Sequence, residues 1–505
     1  MKFFKQSLIV CAVIGAASCT KLEEGNRDGI AAVNASATGL LQGAYNALGG
    51  LQTQDVVWAL MEHSSDEALG PTRGPDWDDN GVWRVIHNHQ WDADHNIVRN
   101  SYNSLLSAQY AASVVLTGNP GPTASEAAQA KFIRALSVFL TLDLYDQVPY
   151  RVNANDLKSL PITLKGTAAL DQVIKDLNEA LVDLPNAGTN SWVANKDAAR
   201  TLLMKAYLNR GVYANRVTPT FAAADMNQVV TLADQILGNA RYALSDNFFT
   251  NFAPNNNSAS KELIFTLENT VGVRGGNNRF NWFCTLHYNQ RPSGWNGFTT
   301  LADFYDKFEA ADTRRGGSYP GLTNVTGLRT GFLVGQQFDQ NGTALTDRKG
   351  APLAFTREIA LRETGNNLEV TGIRVIKYVP DFAQGIDGNA ENEYVIFRFA
   401  DVMLMKAEAQ LRLGQTAAAL TIVNTLRAKR GASALTTLTL QGLLDERGRE
   451  MYWEGWRRND QVRFGTFLNG VGPTRPNKSG NERLIFPIPN QQLAVNPNLT
   501  QNPGY

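Results

Sequence analysis

Between residues 167 and 184, Leu170, Val173, Ile174, Leu177, Leu181 and Leu184 recur on one face at the 3.6-residue helical period, and Pro185 stops the run. Such an apolar stripe cannot be buried by its own helix, so each helix of this kind needs a neighbour. The pattern returns along the chain. Thr123-Ala-Ser-Glu126 reads as a capping box, opening a helix that carries Phe132, Ile133, Leu136, Phe139, Leu140 and Leu144. Other periodic stretches lie near 97–115, 196–214, 226–238, 400–413, 416–430 and 440–455, some joined by short turns such as Leu413-Gly414-Gln415. Paired helices predict a mostly α, tetratricopeptide-like scaffold. The fixed 34-residue period is missing, however, and long irregular segments interrupt the pairs, so a pure solenoid is not expected. Residues 245–395 are rich in Gly, Asn and aromatics, with short β-like stretches at 262–267 and 373–378. They read as a large loop-rich insertion on the helical scaffold, the kind of segment on which binding surfaces sit.

The N-terminus predicts export. Lys2 and Lys5 precede an apolar run from Leu8 to Ala17, and the polar Thr20-Lys-Leu-Glu-Glu24 follows Cys19. The run is shorter than the roughly 18–20 residues that a membrane-spanning helix needs. Ala16-Ala17-Ser18-Cys19 fits a lipobox, in which cleavage leaves a cysteine for lipid modification; an ordinary signal peptide with Cys19 a bystander is the alternative. The expected organisation is a signal peptide (1–18), a lipid-anchored tether (19–33) and one domain (34–505) with parts at 34–244, 245–395 and 396–505. Cys11 leaves with the signal peptide and Cys19 takes the lipid, so Cys284 stands alone and no intrachain disulfide is expected. A hydrophobic core must hold the fold, with Cys284 read as a small buried hydrophobe. Lys and Arg balance Asp and Glu at 47 each, which leaves no electrostatic footprint for nucleic acid.

Trp77 and Trp83 lie in a polar, Gly- and Asp-rich stretch, and Trp282 and Trp295 lie in the insertion with Tyr288 between them. Indole rings stack on the apolar C–H face of a sugar, whose hydroxyls need fixed carboxylate, amide or guanidinium partners. Arg73-Gly-Pro-Asp-Trp-Asp-Asp-Asn80 and Arg291-Pro-Ser-Gly-Trp-Asn-Gly297 both offer that combination. The candidate ligand-binding residues are therefore Arg73, Trp77, Asp78, Trp83, Trp295 and Asn296, with Trp83 and Trp295 expected to be exposed. Trp91 reads as a buried staple before the next helix, and Trp453 and Trp456 as core. The His87-Asn-His89 spacing can serve a metal on a strand, but the stretch from Ile86 to His95 reads as a polar loop, and Asp76, Asp78 and Asp79 match no EF-hand loop. No metal or cofactor is expected. Glu408, Glu450, Glu454, Arg457, Asp460 and Arg463 read as ion pairs that lock helices, with Glu450 and Glu454 on one helical face; a glycosidase acid–base pair is the competing reading.

The series Arg398-Phe-Ala-Asp-Val-Met-Leu-Met-Lys-Ala-Glu-Ala409, Glu446-Arg-Gly-Arg-Glu450, Glu454-Gly-Trp-Arg457, Asp460-Gln-Val-Arg-Phe-Gly465 and Phe486-Pro-Ile-Pro489, closed by 496–505, resembles the SusD/RagB family of nutrient-binding outer-membrane lipoproteins of Bacteroidetes. Ala130-Lys-Phe-Ile-Arg-Ala135 and Gln147-Val-Pro-Tyr150 are similar to the family's first long helix and its exit, and Lys21-Leu-Glu-Glu24 to its surface-export signal. The resemblance implies a SusD-like α-α superhelix of four helix pairs, seated on a SusC-like TonB-dependent β-barrel transporter and held at the cell surface by its lipid. It implies capture of oligosaccharides, or in some members peptides, without catalysis. Binding residues vary with the ligand and are not transferred by the resemblance. A surface glycoside hydrolase and a helical adaptor with no small ligand are the alternatives from other classes.

Overall fold

The computed structural model describes residues 36–270, 281–382 and 390–505. The expected signal peptide, Cys19, the 21–24 signal and the tether lie outside the described residues. The longer helices are α1 (Ala37–Ala47), α2 (Val57–Glu62), α3 (Val82–His87), α4 (Asn96–Thr117), α5 (Ala124–Tyr145) and α6 (Gly166–Asp183). They continue as α7 (Lys196–Ala214), α8 (Ala223–Leu237), α9 (Phe399–Arg412), α10 (Thr416–Lys429), α11 (Leu440–Met451) and α12 (Arg457–Arg463). Eight of these pack in series, α1 on α4, then α5, α6, α7, α8, α9 and α10, each against the next. That succession amounts to four helix pairs. None of the described helices is long and apolar enough to cross a membrane.

Local signals explain the ends of these helices. The Thr123 hydroxyl accepts from the Glu126 N–H at 3.3 Å, and Glu126 Oε2 accepts from the Thr123 N–H at 2.9 Å, the reciprocal capping box. In α6, Leu170, Val173 and Leu177 are buried and the opposite face is polar, as the periodicity predicts. By contrast α5 is buried on nearly every side, because α4 and α6 cover it from both flanks. Its Arg134 therefore meets a carboxylate inside the fold, donating to Asp176 through Nε and Nη2 at 2.8 Å each.

The insertion does not break the helical series, because its two ends pair with each other. Strand β1 (Leu263–Leu267) runs antiparallel to β5 (Tyr394–Arg398), with Leu267 opposite Tyr394 and Leu263 opposite Arg398. The chain therefore leaves the scaffold after α8 and returns beside its own point of departure, so α9 packs on α8. Inside the insertion, β2 (Gly316–Gly317), β3 (Thr330–Leu333) and β4 (Arg374–Ile376) form a small antiparallel sheet with β3 in the middle.

Two sequence expectations need correction. The helix expected to 455 ends at Met451, because Trp453 takes a left-handed φ of 60°. The freed N–H groups of Trp453 and Gly455 donate to Glu67 at 3.1 Å and to Glu62 of α2 at 2.6 Å. Glu454 therefore leaves the helical face on which Glu450 remains. The supposed polar loop at 86–95 begins as the helical end of α3, with His87 and His89 buried. Cys284 is buried, as its apolar surroundings predict.

Candidate functional site

The acids of the C-terminal motifs form a closed ionic layer with no exposed carboxylate. Arg398 Nη1 contacts Glu450 at 2.6 Å and Glu262 at 3.3 Å, while its Nη2 contacts Glu454 at 2.8 Å. Arg430 bridges Glu262 and Glu450 at 2.8 Å each, and Lys377 meets Glu454 at 2.6 Å. A second group joins Arg463 to Glu408 at 2.8 Å and to Asp460 at 2.7 Å, with Arg447 on Asp460 and Asp401. Burial opposes ionisation of Glu408, yet the neighbouring Arg463 and Arg412 hold its carboxyl down at about 2. Arginine neighbours likewise hold Glu450 well below the ordinary range against a large burial penalty. A glycosidase's general acid needs the opposite, a carboxyl kept protonated beside a cleft. These residues lock α9, α11 and α12 to the insertion.

The tryptophan loops build a different place. Residues 69–73 are held on one side by Leu69 exchanging backbone hydrogen bonds with Thr299 at 2.9 Å each way. On the other side Thr72 and Arg73 pair with Arg362 and Glu363. From that strap the chain turns sharply. Gly74, Trp77, Asp79, Asn80 and Gly81 all have positive φ, as does Asn296 on the facing loop. Four of the seven non-glycine residues with positive φ among the described residues thus fall in these two loops. A tryptophan at φ 59° is an outlier that its surroundings must hold, and such outliers concentrate where a side chain is aimed for a purpose.

The surroundings of Trp77 supply that hold. Its Nε1 donates to the Trp295 carbonyl at 2.7 Å, and its ring lies 5.0 Å from Phe298 and 6.0 Å from Trp83. A Cβ at position 297 would meet the indole at 2.2 Å, so only glycine lets the ring lie on that backbone. Trp77 is half-buried, and Trp295, beside it, leaves 39% of its surface exposed. Nearby, the Arg348 guanidinium stacks 3.9 Å from the centroid of the half-buried Tyr288 and donates to Glu369 at 2.6 Å. The Tyr288 hydroxyl donates to Asp76 at 3.4 Å, and His287 Nε2 meets Glu369 at 2.9 Å. Burial lowers the His287 pKa and raises that of Tyr288. Asp78 accepts from Arg84 at 2.8 Å, a hydrogen bond that holds its carboxyl below the usual range.

The structure brings all six candidate residues into this region, but in two roles. Trp77, Asp78 and Trp295 face outward. Trp83, expected at the surface, is only 5% exposed: its Nε1 donates to Asp79 at 2.8 Å, and its ring packs on Phe298 at 5.0 Å and His63 at 5.4 Å. Arg73 is buried and pins the loops together, donating to the carbonyls of Leu368 at 2.9 Å and Gly297 at 3.3 Å. Asn296 is buried too and accepts from Arg374 at 2.7 Å. Trp282 is core and Trp91 donates from its buried ring to the Tyr505 hydroxyl at 2.6 Å, as a staple should. Arg348, Glu369 and Phe298 escaped the sequence reading. Arg348 and Glu369 lie more than fifty residues from either tryptophan loop and belong to no motif.

His63 sits beneath the platform, 4.4 Å from the Phe298 ring, and burial pushes its pKa down to about 3, so it is a neutral packing group. Among the described residues no group of three His, Cys, Asp or Glu side chains is arranged to hold a metal. Asp78 and Asp79 have protein partners instead.

Residues 261–505 match the SusD family model. The starch-binding protein SusD of Bacteroides thetaiotaomicron is 25% identical over 424 residues, covering 76% of this chain and 73% of that protein. Among solved structures, a SusD superfamily protein from Parabacteroides distasonis has a TM-score of 0.72 at 18% identity, over 93% of this chain and 99% of its own. A surface glycan-binding protein A from Bacteroides thetaiotaomicron, solved in complex with laminarihexaose, has a TM-score of 0.68 at 16% identity, over 92% and 98% of the two chains. Residues 261–505 thus carry the sequence of the SusD family, and the chain shares the fold of SusD superfamily structures over nearly its whole length.

Proposed function

We propose that this protein is a cell-surface glycan-binding lipoprotein that captures oligosaccharides and passes them to a TonB-dependent outer-membrane transporter. The observation that carries the reading is the Trp77–Trp295 platform, with one indole held in a left-handed backbone conformation over Gly297. An exposed aromatic ledge beside Asp76, Asp78 and Arg348 matches a sugar's apolar face and its rim of hydroxyls. The starch-binding relative and the laminarihexaose-bound neighbour are consistent with it. Each ring covering roughly 100 Å² contributes about 2.5 kcal/mol. Two rings, less the cost of association, give affinities of roughly millimolar to micromolar. A lipid on Cys19 beside a transporter offsets that weakness by effective concentration.

Calorimetry of the purified full-length protein against malto-, laminari- and galacto-oligosaccharides tests the reading. Millimolar-to-micromolar binding to at least one, weakened by Trp295→Ala, is expected. Response to peptides alone would sink the sugar version, and hydrolysis of the bound glycan would reassign the protein to the enzymes. Cys19→Ala should abolish surface display and uptake while leaving ligand affinity intact, and pull-down from solubilised outer membrane should recover a large barrel protein.

A further inference from the structure

A second cleft, of about 320 Å³, lies over the β2–β3 edge of the small sheet. Its walls carry two guanidinium groups, Arg315 and Arg329, and no carboxylate. That absence sets it apart within the same neighbourhood: Arg357, 5.5 Å from the centroid of the Tyr305 ring, is neutralised by Asp306 at 2.6 Å. Arg315 stacks nearer that ring, 4.5 Å from its centroid, and among the described residues its side chain has only the neutral Tyr305 hydroxyl as acceptor, at 3.0 Å from Nε. Arg329 is exposed and has no hydrogen-bond or ion-pair partner among the described residues. At the rim, Phe338 leaves 47% of its surface exposed.

The shape of the cleft comes from glycine. Gly316 and Gly331 face each other across the strands at φ 105° and 80°, and a Cβ on Gly316 would meet the Thr330 carbonyl at 2.0 Å. Gly317 has space beside it, with Arg329 Nη2 the nearest atom to its missing Cβ at 3.9 Å. Two like charges in one concavity repel each other, and an anion between them removes that repulsion while accepting charge-assisted hydrogen bonds from both.

We propose that this cleft is a second binding site, for a sugar residue bearing a carboxylate or sulfate group, with the anion between Arg315 and Arg329 and the ring's apolar face against Phe338. That the ligand is a sugar rests on the function proposed above; that it is anionic does not. Being partly open to water, the contact weakens as salt screens it.

Calorimetry of the full-length protein at low salt should use three probes of equal length: a galacturonate hexasaccharide, a sulfated galactan hexasaccharide and the unsulfated galactan. At least one charged probe should bind tenfold or more tightly than the neutral one, and the stronger of the two identifies carboxylate or sulfate as the recognised group. Arg329→Ala, and separately Gly317→Glu, which places a carboxylate beside Arg329, should remove that advantage with melting temperature unchanged. Trp295→Ala should leave the advantage in place even where it weakens the neutral probe, which separates failure of this site from failure of the tryptophan platform. Equal binding of charged and neutral probes, survival of the advantage in Arg329→Ala, or its loss in Trp295→Ala would each overturn the proposal.

Discussion

The ionic layer around Arg398 and the loops around Trp77 are both dense in chemically capable side chains, yet they are built on opposite terms. In the first, every carboxylate is enclosed and matched by a guanidinium or ammonium, so the charges hold helices in place and meet no solute. In the second, the backbone is strained, the arginines Arg73 and Arg374 hold loops through carbonyl and amide oxygens, and the aromatic surface is left partly uncovered. Charge density by itself therefore does not mark a functional site in this protein. Strained backbone that presents a half-exposed ring is what singles out the site proposed above.

The largest effect that tests this contrast is Arg398→Ala. It strips a shared cation from Glu262, Glu450 and Glu454 inside the protein, and a loss of about 3–5 kcal/mol in denaturant unfolding is expected. A loss below 1 kcal/mol would show that the layer is not what locks the helices. Next, Trp77→Ala should weaken glycan binding by about 30-fold, roughly 2 kcal/mol, with unfolding changed far less than by Arg398→Ala. An unchanged affinity there would move the site off this platform.

Gly297→Ala sharpens the same side of the contrast, since its methyl displaces the Trp77 ring without removing it. About a tenfold loss of affinity should appear in calorimetry, with secondary structure by circular dichroism unaltered.

The smallest effect is a pH slope. Burial pushes Glu62 up to about 7 and its neighbour Glu67 well above the ordinary range. The folded protein therefore keeps a proton that the unfolded chain gives up above about 4.5, and stability from this pair falls as pH rises through 4.5 to 7. The sign reverses for Glu408, whose depressed pKa adds stability above about 4.5 that is lost as pH falls toward 2. Glu62→Gln keeps an acceptor for the Gly455 N–H and should flatten the decline between pH 5 and 7, by at most about 1.4 kcal/mol per pH unit. A slope left intact would assign the proton elsewhere.

The scaffold was legible because its signals are local. A 3.6-residue apolar stripe names a helix, and Thr123 with Glu126 names its first turn, whatever lies elsewhere. The candidate loops were legible as well, since tryptophan among glycine and aspartate has no periodicity to bury it. What separates Trp83 from Trp295 was not. Trp83 is enclosed by Phe298, more than two hundred residues away in the chain, and by His63 of another element. Glu454 was misplaced for a similar reason: the turn at Trp453 is held by acceptors on Glu62 and Glu67, which no window around residue 453 contains.

The amino-acid sequence by itself thus determined the helix pairs, the family resemblance and the two loops that carry aromatic rings. Periodicity, caps and composition act within a few residues and suffice for the pairs and the loops, while the resemblance rests on the motifs of the C-terminal half. Only the tertiary structure decided which ring faces water, which arginine is left without a carboxylate, and where the two ends of the insertion meet. Burial and electrostatic pairing are sums over neighbours in space, and in this fold some of those neighbours come from segments more than four hundred residues apart.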